Sequence, residues 1–155
     1  MPTLAGLLDL VAGRVPLIIE LKGVRGKDDG LVGKVGEVLA RYRGNAAIMS
    51  FFHWLVRDFA TQAPGVPGGL TAEGVKDAEL ELHFSMLAHP VSFVSYSVND
   101  LPNRFAGFVR DRLGLPVITW TVRDQAAVAR TFAHADQVTF EGFEPPLARR
   151  SDGHI

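Results

Sequence analysis

The sequence predicts an α/β fold with a parallel sheet, on three observations. Short apolar runs rich in Val, Ile and Phe alternate with segments of helical periodicity. The centres of the six runs fall roughly at residues 18, 48, 68, 94, 118 and 139, a spacing that fits a strand, a crossover helix and two short loops. Finally, Gly23-Val24-Arg25-Gly26 after the first run carries neither the dinucleotide fingerprint nor the Walker spacing expected of an open, nucleotide-binding sheet. An open doubly wound sheet and a (β/α) barrel both satisfy the element order, and the missing glycine fingerprint favours the barrel.

The elements follow in order. Thr3 to Val11 places Leu4, Leu7, Leu8 and Val11 on one helical face, with Thr3 as N-cap and Gly13 as stop. Val15 to Lys22 is a strand with little alternation, as if covered on both faces. Gly23 to Gly30 is a loop. Leu31 to Tyr42 is a helix presenting Leu31, Val35, Val38, Leu39 and Tyr42, weakened by Gly33 and Gly36. Ala46 to Phe51 is the second strand, Trp54 to Ala63 a helix, and Val66 to Thr71 a short third strand. Ala78 to Leu87 fits both periods. Leu80, Leu82, Phe84 and Met86 alternate like a strand, whereas its Ala, Glu, Leu and Met content favours the helix we assign. Strand four is Val91 to Val98. Asn103 to Leu113 is a helix with Phe105, Phe108 and Val109 inward. Strand five is Pro116 to Val122, the last helix Asp124 to His134, and strand six Gln137 to Glu141.

A chain of 155 residues suits one domain but falls short of the about 200–250 residues of a closed eight-stranded barrel. Residues 1–143 are expected to form the barrel portion. Residues 144–155, with Pro145-Pro146 and a polar end, are expected to form a loose tail. Six strands leave two open edges and one side of the interior uncovered, so interior positions such as Ile18, Ile48 and Ile118 should lie exposed and favour poor solubility or self-association.

Composition narrows the function classes. With no cysteine there is no disulfide framework, Cys-ligated zinc or thiol nucleophile. A net charge of -1 gives no general pull toward nucleic acid or an anionic membrane. No apolar run approaches the ~18 residues of a membrane span, and Met1-Pro2-Thr3 opens no secretory signal. The default expectation is a cytoplasmic protein.

Barrel sites lie at the C-terminal ends of the strands. That rule selects Glu20, Lys22, Ser50, Phe51, Tyr96, Trp120, Thr121 and Glu141. Alternation puts Ile18, Glu20 and Lys22 on one face. A carboxylate there suits a hard cation and an ammonium suits a phosphate. The plain alternative is a Glu–Lys ion pair at a solvated strand end. Trp120 either lines a pocket or fills the barrel. The five histidines are scattered. His83 and His134 fall on helices and read as surface residues, and His154 lies in the tail. His53 alone, directly after a strand end, is placed to line a site. No zinc-binding His pattern and no nucleophile elbow around Ser50 or Ser85 is present. Arg149-Arg150 is too short for a nucleic-acid patch.

Four blocks carry a family resemblance: Pro2-Thr3-Leu4 leading a helix into Ile18-Ile19-Glu20-Leu21-Lys22; Met49-Ser50-Phe51; Val117-Ile118-Thr119-Trp120-Thr121-Val122; and Ala135-Asp136-Gln137-Val138-Thr139-Phe140-Glu141. In this order they resemble the C-terminal portion of a glycerophosphodiester phosphodiesterase domain, up to about Phe143. The resemblance implies a partial TIM (β/α) barrel, about six βα units of eight. It implies metal-dependent hydrolysis of glycerophosphodiesters to glycerol 3-phosphate and an alcohol, a step of lipid metabolism, with Mg2+ or Ca2+ as cofactor. Carried over by motif, Glu20 is the metal ligand, Lys22 faces the substrate phosphate, and Phe51 and Trp120 line the glycerol side.

The departures are as informative. The family's His-Arg-Gly, Glu-Asn-Thr and His-Asp segments are absent, since no histidine here precedes Arg or Asp. Glu141 stands where many members have Asp or Asn. The chain is therefore expected to be a truncated enzyme, inactive alone, with an incomplete cation site. A non-catalytic anion-binding half-barrel and a self-associating barrel fragment are the alternatives.

Overall fold

The structure is a computed structural model and describes residues 2–27 and 30–145. Most of the expected tail, with His154 and Arg149-Arg150, lies outside the described residues. Helix α1 (Leu4–Val11) starts as the sequence dictates, the Thr3 hydroxyl accepting from the Gly6 N–H at 3.1 Å. It ends through Ala12 and Gly13, both at positive φ.

From there the chain alternates strictly between strand and helix: β1 (Leu17–Glu20), α2 (Leu31–Leu39), β2 (Ala46–Ser50), α3 (His53–Gln62), β3 (Gly68–Ala72), α4 (Asp77–Met86), β4 (Phe93–Ser97), a 3-10 turn (Val98–Asp100), α5 (Arg104–Asp111), β5 (Val117–Val122), α6 (Gln125–His134) and β6 (Gln137–Phe140). All neighbouring strands pair in parallel in the order β1-β2-β3-β4-β5-β6, a curled half-barrel and part of a TIM-type fold. Caps account for several helix starts. Asn103 accepts from Ala106 N and Asp124 from Ala127 N. The ambiguous segment is helix α4. Glu79 accepts from the Lys76 N–H at 3.0 Å, and Leu80, His83 and Met86 are buried with helical spacing while Leu82 is exposed.

Side-chain alternation splits the sheet into two faces. Ile48, Leu70, Val94, Tyr96 and Val117 point to the helix layer and form one core with Val35, Leu39, Val56, Phe59, Phe105 and Val109. Register partners in parallel strands share a face. The concave face therefore carries Ile18 beside Ala47, then Glu20, Met49, Gly69 and Phe93, then Thr71, Ser95, Ile118 and Gln137. Gly69 leaves the space that the Phe93 ring fills.

Two expectations are corrected. Ile48 is not an exposed interior position; it pairs with Ile19, faces the helices and is fully buried. And β1 is not covered on both faces: as an edge strand it leaves Ile18 48% exposed. Among the described residues, no helix is long and apolar enough to cross a membrane.

Candidate functional site

The C-terminal rim of the half-barrel gathers the sequence-selected residues unevenly. At the tip of β1, Lys22 Nζ lies 3.3 Å from Glu20 Oε1, with the lysine side chain 75% and the glutamate side chain 27% exposed. Glu20 belongs to the concave row with Met49 and Gly69. Lys22, two residues on, falls on the same face by alternation. The Ser50 hydroxyl donates to Leu21 O (2.7 Å) and accepts from Phe52 N (3.0 Å), so it ties the ends of β1 and β2 together on the helix side. That leaves Phe51 on the concave side, where its ring meets Trp120 edge to face with centroids 5.2 Å apart.

A bulge helps place the indole. Three residue steps on β5, from Thr119 to Val122, oppose two on β6, from Val138 to Phe140. Thr119 and Val122 therefore both face the helices, and Trp120 turns inward. Its Nε1 donates to Ser95 O at 3.1 Å, one strand away. Thr121 is half-buried at the bulge.

Other selected residues are structural. Tyr96 points to the helix layer, not the mouth; its hydroxyl donates to Gly74 O at 2.7 Å, and burial followed by Asp100, Glu79 and Glu73 raises its pKa. Glu141 is exposed and pairs with Arg123 at 2.7 Å. His53 packs against His83, ring centroids 5.9 Å apart. Burial first, then His83 and Arg57, lower its pKa. His83 corrects the expectation of a surface residue. It is buried against Tyr96 and Phe105, with Nε2 at 3.0 Å from Glu73 O, which fixes the ring proton on Nε2 because a carbonyl only accepts.

The donor set does not make a cation site by itself. Glu20 is a lone carboxylate already paired to an ammonium, and among the described residues no group of three or more His, Asp or Glu side chains converges. What the rim offers is a cation for an anionic group, an aromatic wall, and two residues that strand-end reasoning passed over. Thr71 and Ser95, adjacent in register on the concave face, are both buried, and neither hydroxyl finds a hydrogen-bond partner among the described residues. Their local signal is weak: each is a polar residue within a strand, and β4 carries Ser97 as well.

No family model matches the chain, and no curated protein matches it. Solved structures do. A phosphodiesterase of Oleispira antarctica, in complex with the product sn-glycerol-3-phosphate, superposes with a TM-score of 0.72 at 17% identity over 90% of this chain and 57% of its own. A glycerophosphodiester phosphodiesterase of Parabacteroides distasonis gives 0.67 at 16% identity over 90% and 59%. The glycerol uptake operon antiterminator regulatory protein of Listeria monocytogenes gives 0.62 at 17% over 97% and 78%. The last shows that the architecture serves more than one task. The chain spans little more than half the length of the two phosphodiesterases it matches, and it shares the fold of that part of their barrels.

Proposed function

We propose that this chain is the larger part of a glycerophosphodiester phosphodiesterase barrel, acting in lipid metabolism in the cytoplasm, and that it does not hydrolyse diesters alone. The observation that carries the reading is the Glu20–Lys22 pair at the tip of β1, on the concave side of a half-barrel that superposes on phosphodiesterases. In this reading the exposed Lys22 ammonium binds the substrate phosphate, held in place by Glu20. Phe51 and Trp120 exclude water from the side of the site that takes the glycerol carbons. Glu20 would contribute one carboxylate toward Mg2+ or Ca2+. The further acidic ligands and the acid–base groups would come from two more βα units paired on the open β1 and β6 edges.

The test compares two proteins. The 155-residue chain, supplied with glycerophosphocholine and Mg2+ or Ca2+, is expected to release no glycerol 3-phosphate. A protein translated from the in-frame coding sequence upstream as well is expected to show metal-dependent release, abolished by Glu20→Gln. Release by the chain alone, or an extended enzyme indifferent to Glu20→Gln, overturns the reading. Mass measurement on the same preparations reads the alternative: a stable dimer of the chain would favour barrel completion by a second copy.

A further inference from the structure

We propose that Thr71 and Ser95 form a hydroxyl-recognising floor that takes the diol end of a small polyol phosphate whose phosphate lies at Lys22. The inference deepens the reading of the site given above and rests on it.

Thr71 and Ser95 are direct register partners on the concave face and are 3% and 1% exposed. Neither hydroxyl has a partner among the described residues. A single orphaned hydroxyl is costly to keep buried, and two side by side at the functional end of a barrel are a stronger anomaly. Apolar isosteres would remove the cost. Thr71 is one residue from the end of β3 and Ser95 is at the middle of β4, so the pair lies just inside the rim where ligands of such folds are held. Continuing the β1–β2–β3 register by two residues puts Lys22, Phe51, Thr71 and Ser95 in one row across the sheet.

The chemistry of the row selects the ligand. Each hydroxyl both donates and accepts, and neither carries charge. Two of them on neighbouring strands, about 4.8 Å apart at the backbone, match the two hydroxyls of a vicinal diol. Lys22 is two strands from Thr71, about 10 Å along the row. Curvature brings concave side chains closer together than their backbones, as the Phe51–Trp120 contact shows, and a three-carbon phosphate spans what remains to the Glu20-held ammonium. Phe51 and Trp120 offer apolar ring faces to the carbon chain between. Both are only partly buried, so their rings are open to a ligand. Trp120 stays anchored through its bond to Ser95 O.

The experiment is a ligand-observed NMR titration of the 155-residue chain with sn-glycerol 3-phosphate, propyl phosphate and inorganic phosphate. Propyl phosphate matches the first in length but lacks the diol. Thr71→Val and Ser95→Ala are each expected to weaken sn-glycerol 3-phosphate binding by about threefold to tenfold. Both should leave propyl phosphate and inorganic phosphate within about twofold, and raise the ligand-free Tm by about 2–4 °C. Thr71→Ser keeps the hydroxyl and should keep the preference for the diol. Lys22→Ala should weaken all three ligands. Equal binding of sn-glycerol 3-phosphate and propyl phosphate by the unaltered chain, or a preference that survives Thr71→Val and Ser95→Ala, overturns the floor while leaving the phosphate site intact. A lowered Tm with unchanged ligand preference assigns the hydroxyls to a structural water and overturns it as well. Failure of the unaltered chain to bind any of the three removes the site reading itself.

Discussion

The rings of Phe51 and Trp120 touch edge to face, with planes at 79°, although two whole strands, β3 and β4, separate the strands that carry them. In a flat sheet the backbones of β2 and β5 would stand about 14 Å apart, three interstrand spacings. The contact therefore reports curvature: side chains on the concave side converge as the sheet curls. A double-mutant cycle of Phe51→Ala and Trp120→Ala is expected to show a coupling of about 0.5–1.5 kcal/mol in urea unfolding. Trp120→Ala alone should cost about 1–3 kcal/mol, since it also removes the indole bond to Ser95 O. Zero coupling would mean that the rings do not meet and that the sheet is flatter than described.

The pair at the β1 tip predicts a separation of stability from function. Lys22 is mostly in solvent, so its ion pair with Glu20 is screened and worth little. Lys22→Ala should shift unfolding by no more than about 1 kcal/mol. In the extended enzyme the same substitution should lower kcat/KM for the diester by about 100-fold or more, the usual scale for a cation lost from a reacting phosphoryl group. A large stability loss with unaltered turnover would make Lys22 a structural residue.

The six strands and their helices were legible because each element buries one continuous apolar set, and period, caps and spacing all follow from that. Thr3, Asn103 and Asp124 announced their helices through side chains that cap them locally. What could not be read were facts set between strands. Whether Ile18 or Ile48 faces the interior depends on register, which pairs Ile18 with Ala47 and sends Ile48 to the helices. The same holds for Tyr96, one position from the inward Ser95. The helix of His83 looks polar in sequence, and the residue's burial comes from Tyr96 and Phe105 on other elements. Within the site, Glu20 and Lys22 were visible by local alternation. Phe51 and Trp120 follow from the strand-end rule, with their role given by resemblance, and their contact needed curvature. Nothing local in the sequence marks Thr71 and Ser95, because a hydroxyl becomes anomalous only once its missing partners can be seen.

His53 gives the chain a pH dependence of known sign. Burial, His83 and Arg57 all disfavour its protonated form, so its pKa lies below the ordinary 6.5. As pH falls, the unfolded chain takes up this proton before the folded one does. The contribution is whole above about pH 7.5 and is lost as pH falls through 6.5 toward the folded value. His53→Gln should therefore flatten part of the decline in unfolding free energy between about pH 7.5 and 5. An identical slope in the variant would show that His53 titrates as it does in the unfolded chain.

Two glycines of α2 make opposite predictions from the same substitution. A methyl group on Gly36 would stand 2.7 Å from Gln62 O and 2.9 Å from Ala63, at the end of α3. Helix propensity favours alanine by about 1 kcal/mol, but backbone atoms cannot yield as a flexible side chain can. Gly36→Ala should force the two helices apart and cost about 1–3 kcal/mol net. At Gly33 the nearest atom is the mobile Gln62 Oε1 at 3.6 Å, an ordinary contact, and φ is helical. Gly33→Ala should therefore stabilise by about 0.5–1 kcal/mol. Urea unfolding of the two variants side by side measures both. If Gly36→Ala matched Gly33→Ala, the close α2–α3 approach that seats these helices against β2 would be absent.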